Sequence, residues 1–174
     1  MILIRSLLLL VSFILSGVFY SQTTVTMTLP IVTLMDIEPT GSFALNFTAP
    51  TEAGNAIGSP TPNTSKRINY TSAIAPSGVT RRITASVNKV IDGVNIRLQA
   101  AAATGAGGGT LGTSVGIVTL STTATTIISG IGGAYTGNGS SNGHVLTMSL
   151  TTNTYANLIA QANTAIVVTY TITE

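Results

Sequence analysis

Between Arg82 and Ala100 the chain reads RITASVNKVIDGVNIRLQA, and its apolar residues recur at every second position. Ile83, Ala85 and Val87 share one face while Thr84, Ser86 and Asn88 take the other. Beyond Asp92-Gly93 the pattern resumes, with Val94, Ile96 and Leu98 set against Asn95, Arg97 and Gln99. Successive side chains of a strand point to opposite faces, so a period of two demands a sheet with one dry face and one wet face. Asp-Gly supplies the positive φ angles of a tight turn, and the two segments are expected to pair as an antiparallel hairpin.

The same period returns along most of the chain. Thr23–Leu29 (TTVTMTL) sets Val25, Met27 and Leu29 against threonines. Pro30 then removes a backbone donor, which confines this strand to an edge or a bend. Ile31–Ile37 continues as a second short strand, closed by the turn residues Glu38-Pro39-Thr40-Gly41. Ser42–Thr48 alternates through Phe43, Leu45 and Phe47, and Lys66–Ala73 through Ile68 and Tyr70. Val115–Leu120, Ala124–Ser129, His144–Leu150 and Ala165–Thr173 complete the set of expected strands. Ala49–Ser65 holds Pro50, Pro60 and Pro62 and reads as a long loop, with Ala101–Ser114 and Gly130–Gly143 as two glycine-rich loops. Tyr155–Ala162 reads as a single helical turn or crossover. No segment sustains a 3.6-residue period. About eight to ten short strands separated by turn residues specify an all-β protein, an antiparallel immunoglobulin-like β-sandwich, with a closed barrel as the alternative.

Residues 1–21 stand apart from this pattern. Arg5 precedes the apolar run LLLLVSFIL at Leu7–Leu15, and Ser16, Gly17 and Ser21 supply small residues near a cut. That is the layout of a secretory signal peptide, cleaved before Gln22, and the run is shorter than the ~20 residues of a spanning helix. Residues 22–174 then form one exported domain, in the periplasm, on the outer surface or extracellular. With no Cys, the domain has neither disulfides nor a lipid-modified cysteine and relies on its core alone.

Seven Lys and Arg face five Asp and Glu in the whole chain, and Arg5 lies in the leader, so the exported part is nearly neutral. A basic stripe for nucleic acid is absent. Charged residues make up only 7% of the chain, against ~25% in ordinary soluble domains. Threonine, serine, asparagine and glycine replace them. A polar, nearly uncharged surface suits a protein that meets copies of itself, other cell-surface proteins or a matrix.

Residues able to carry chemistry are few. His144 is the single histidine, and a histidine base needs a nucleophile and an orienting carboxylate. The acids Asp36, Glu38, Glu52, Asp92 and Glu174 fall in no catalytic motif, so His144 is expected at a solvated strand edge. Asp36 and Glu38 share a strand face; calcium would need more oxygens and a glycosidase pair would need separation across a cleft. Strand-end solvation accounts for both, and Lys66-Arg67 and Arg81-Arg82 read as solvated edge charges. The glycines at 105–109 lack the lysine and following helix of a phosphate cradle. No catalytic residue, metal or cofactor is assigned. Tyr135, among Gly132, Gly133, Gly137 and Gly139, is a candidate loop contact for a sugar ring.

The export leader, the Thr-rich strand directly after it, the glycine-punctuated sandwich and the closing strand TAIVVTYTIT together resemble bacterial fimbrial or coat-type subunits. The resemblance implies a non-catalytic structural or adhesive cell-surface role. In the chaperone–usher family, the N-terminal extension of one subunit fills the groove of its neighbour. That likeness casts Val25, Met27, Leu29 and Ile31 as strand-donor residues for self-assembly. The family's common disulfide has no counterpart here. A monomeric carbohydrate- or matrix-binding sandwich using the two glycine-rich loops is the alternative.

Overall fold

The structure, a computed structural model, describes residues 20–76 and 78–174. The expected leader therefore lies almost entirely outside the described residues. Nine strands are present among them: β1 Val32–Glu38, β2 Asn63–Ala73, β3 Arg81–Val87, β4 Val94–Thr104, β5 Gly108–Ser114, β6 Ile117–Thr119, β7 Thr125–Tyr135, β8 Gly143–Thr152 and β9 Val168–Thr173. All pairing is antiparallel. A single 3₁₀ turn at Tyr155–Asn157 is the one helical element among the described residues.

The strands form two halves, β1-β2-β8-β4-β6 and β5-β7-β3-β9. They join where the ends of β2 and β7 pair, Thr71 with Tyr135 and Ser72 with Ala134. Each of these two strands leaves its own half at that corner, so one hydrogen-bonded sheet folds over on itself. The result is all-β and sandwich-like. Its core takes Ile68 and Tyr70 from β2, Ile83, Ala85 and Val87 from β3, and Ile96 and Leu98 from β4. Ile127, Ile128 and Ile131 of β7 and Leu146 and Met148 of β8 complete its centre. Burial follows the period of two along β3, β4 and β8 from His144 onward, where the pattern that specified strands also placed the core, whereas β2 and β7 bury adjacent residues, Ile68–Tyr70 and Ile127–Ile128.

The expected hairpin across Asp92-Gly93 does not form. β3 lies between β7 and β9, and β4 between β6 and β8. The turn itself exists: Val94 N–H donates to Ile91 O at 3.1 Å, with Gly93 at φ +78°. Asn88 fixes the departure from β3, its N–H donating to Val167 O while its Oδ1 accepts from Val167 N–H. The connection then arches between layers that pack ~10 Å apart. Two one-sided strands satisfy the same burial pattern side by side or face to face, and the face-to-face solution won.

The two glycine-rich stretches are also largely strand. β4 runs on to Thr104, β5 begins at Gly108, and β7 continues through Gly130, Gly132 and Gly133 to Tyr135. Gly109 and Gly112 have φ of +85° and +74°, and the ladder shifts register between Gly109 and Leu111. A Cβ on Gly109 would overlap Gly133 O. Glycine here permits bulges and close strand approach, where the sequence suggested loose loop. Conversely, Ser42–Thr48 forms no strand and is pinned by one bridge, Thr48 to Gly58. Leu45 and Phe47 remain half-buried, but the segment pairs with none of the nine strands. Thr23–Leu29 is likewise unpaired.

Candidate functional site

The four expected donor residues form the least buried apolar row of the described chain. Val25 is 84% exposed, Met27 87%, Leu29 79% and Ile31 63%. Threonines alternate with them, and no strand of the same fold pairs with residues 20–31. Burying such side chains stabilises by about 1.5–3 kcal/mol each, so four left in water are a strong incentive for a partner.

Open strand edges differ in chemistry. β6 has three residues, β5 is interrupted by left-handed glycines, and β1 carries Asp36 and Glu38. β9, VTYTIT, combines six residues with no charge, no proline and no glycine. It pairs with β3 on one side only. Val167 O and Thr171 O accept bonds from the β3 side. By the period of two, the backbone groups of Val168, Tyr170 and Ile172 point to the open edge. Their side chains, with Ile166, pack on the core yet stay only partly buried. Burial pushes the Tyr170 phenol up to about 12.

Tyr135 ends β7 and is 54% exposed. Leu34, Thr71 and Tyr135 align across β1, β2 and β7. They border a shallow depression of about 370 Å³, also lined by Asp36, Asn69, Gly137 and Asn138. The tyrosine is thus on a strand end, with the short 136–142 loop beside it.

Several polar residues contradict the solvated readings. His144 is fully buried. Its Nδ1 contacts Ala101 O at 2.8 Å and its Nε2 contacts Tyr70 Oη at 3.0 Å, with the two rings stacked. The Tyr70 hydroxyl also reaches a second acceptor, Leu111 O. Desolvation holds the imidazole below its ordinary pKa, against two backbone carbonyls that favour the charged form. Of each basic pair, one residue turns inward: Lys66 binds Pro39 O, and Arg81, 3% exposed, binds Val32 O at 2.7 Å and Ser72 Oγ at 2.8 Å. Arg81 also faces Glu174 at 3.6 Å. A one-sided strand forces one of two adjacent residues inward, and a neighbouring carbonyl cluster makes that position tolerable for a cation. The sequence signal was that parity: Lys66 shares the inner face with Ile68, and Arg81 with Ile83.

Asp36, inside β1 opposite Asn69, has its Oδ1 accepting from Ile37 N–H at 2.7 Å. Among the described residues no group of three or more His, Cys, Asp or Glu could hold a metal ion, and no helix is long and apolar enough to cross a membrane. No family model, curated protein or solved structure matches the chain.

Proposed function

We propose that this chain is a secreted, non-catalytic structural or adhesive subunit of the bacterial cell surface that joins copies of itself by β-strand addition. The carrying observation is the exposed apolar row Val25, Met27, Leu29 and Ile31, which its own fold leaves without a partner. β9 is the edge best suited to receive it. Its row Ile166, Val168, Tyr170 and Ile172 has the same four-residue, period-two layout, with threonines between its members except at Val167, as they lie between the donor residues except at Pro30.

Pro30 selects the orientation. In an antiparallel ladder, opposed residues exchange both backbone bonds, so Val25, Met27 and Leu29 would bond Ile172, Tyr170 and Val168. Pro30 then directs its missing N–H away from β9 and costs no bond. In a parallel ladder with the same buried face, the even-numbered residues would have to donate, and Pro30 could not. Because the chain has no Cys, disulfide trapping tests this cleanly. Under a mild thiol oxidant, residues 22–174 carrying T24C, mixed with T173C, are expected to cross-link into mixed dimers, one disulfide per pair of chains, whereas T24C with A165C is not. Cross-linking in neither mixture, together with a constant monomer mass by light scattering across concentration, would refute the assignment.

A second reading attaches to the depression at Tyr135. The half-exposed ring beside Asp36, Thr71 and Asn138 combines an apolar platform with hydroxyl, amide and carboxylate groups, as sugar recognition requires. Saccharide titrations comparing the parent with Y135A test it; equal response in both would remove it.

A further inference from the structure

The buried chain Ala101 O, His144, Tyr70, Leu111 O has an acceptor at each end and three links between them. Each link needs one proton. A neutral imidazole and a phenol hold two between them; an imidazolium and a phenol hold three. Nδ1, facing Ala101 O, must carry a proton in either form. With His144 neutral, the Tyr70 hydroxyl has two acceptors before it, Nε2 and Leu111 O, and can serve one.

We infer that His144 and Tyr70 form a proton-operated switch tying β5 to β2. When the imidazole is neutral, the Tyr70 hydroxyl donates to Nε2 and the Leu111 carbonyl lacks a donor from it. When the imidazole gains a proton, Nε2–H donates to Tyr70 Oη, and the hydroxyl turns to Leu111 O. Bonds balance: one proton enters from water, and the phenol keeps its own while changing acceptor.

The surroundings restrict what else could drive this. On β2, Tyr70 is the only titratable side chain bonded to the ring; the inward Lys66 turns to Pro39 O, and Arg67 turns to Thr104 Oγ1 at 3.0 Å. β5 and the remainder of β8 carry no titratable side chain, β4 contributes only Arg97, and β7 ends in Tyr135. Asp36, Glu38, Glu52, Asp92 and Glu174 make no hydrogen bond or ion pair to His144. With no counter-ion to hold it charged, burial keeps the ring neutral near neutral pH, and acid engages the latch.

Residues 22–174 labelled at histidine nitrogen, tyrosine carbon and leucine carbonyl would be titrated by NMR from about pH 8 downward while folded. The expected result is one midpoint, acid of an ordinary histidine, shared by the His144 nitrogens, the Tyr70 ring and the Leu111 carbonyl. In Y70F the Leu111 carbonyl, which also lies near the imidazole itself, should respond less than in the parent. A His144 that titrates while Tyr70 and Leu111 stay still overturns the switch, as does one that stays neutral until the protein unfolds. Should Y70F fail to fold, the shared midpoint in the parent protein decides alone.

Discussion

Gly143 and Gly139 offer a matched pair for separating two costs of adding a methyl group. Their φ angles are nearly equal, +83° and +84°. A Cβ on Gly139 meets nothing within 4 Å, whereas one on Gly143 would overlap Ile68 O and Asn69 Oδ1. Both substitutions to Ala carry the left-handed backbone penalty of roughly 1–2 kcal/mol. Only G143A must also push apart a backbone carbonyl of the fully buried Ile68 and a side chain held by Asn69 Nδ2 to Gly139 O at 3.0 Å. That overpacking adds roughly 1–3 kcal/mol. Urea unfolding of residues 22–174 should therefore place G139A about 1–2 kcal/mol below the parent and G143A about 2–5 kcal/mol below it. Equal losses for the two variants would refute the claim that close approach, and not φ alone, fixes glycine at the start of β8.

Three further outcomes follow from burial and bonding. R81A should lose about 3–5 kcal/mol in the same assay because it strips Val32 O and Ser72 Oγ of a donor, while E174Q, at an ion-pair end 51% exposed, should lose less than about 1 kcal/mol. Tyr170, with its folded pKa raised to about 12, contributes stability that is complete below the ordinary tyrosine value of about 10 and is lost as pH rises through the folded value; burial also raises the Tyr70 phenol, so phenolate absorbance should show two tyrosines titrating late, and Y170F should remove one of them and reduce that alkaline loss. Replacing Val25, Met27 and Leu29 together by Ser should leave monomer stability within about 0.5 kcal/mol, since all three are exposed, while abolishing multimers in light scattering.

The period of two made strand identity and inner faces legible over β2, β3, β4, β8 and β9, because burial of one face is a local property of sequence. Pairing was not legible. The 82–100 segment carried correct faces and a real turn, yet its two strands sit in opposite layers, a choice made by partners β7, β8 and β9 far along the chain. Glycine misled in the same way: at 109 and 112 the missing Cβ makes room for β7, and nothing within the local sequence distinguishes that from loop. At the candidate site, Val25, Met27, Leu29 and Ile31 were readable by pattern, but their exposure, and the suitability of β9 over β1, β5 and β6, needed the assembled edges. The buried His144–Tyr70 contact joins residues 74 positions apart, and no motif announces it.

The corner shared by β2 and β7 also sets how the chain can reach its fold. Of the eight ladders among the described residues, only that between β1 and β2 joins neighbours in sequence. Even these two strands are separated by the 39–62 connection. Such a protein cannot zip up one hairpin at a time; β2 must wait for β7 and β8 before its second edge is closed. Chains dominated by distant pairings fold in milliseconds to seconds or slower, with strand edges and apolar faces uncovered meanwhile. A segment as apolar and unpartnered as Thr23–Leu29 raises the stakes of that interval, because it offers every unfinished edge a strand to accept. The same alternation that we propose joins finished copies makes delayed folding hazardous at high local concentration.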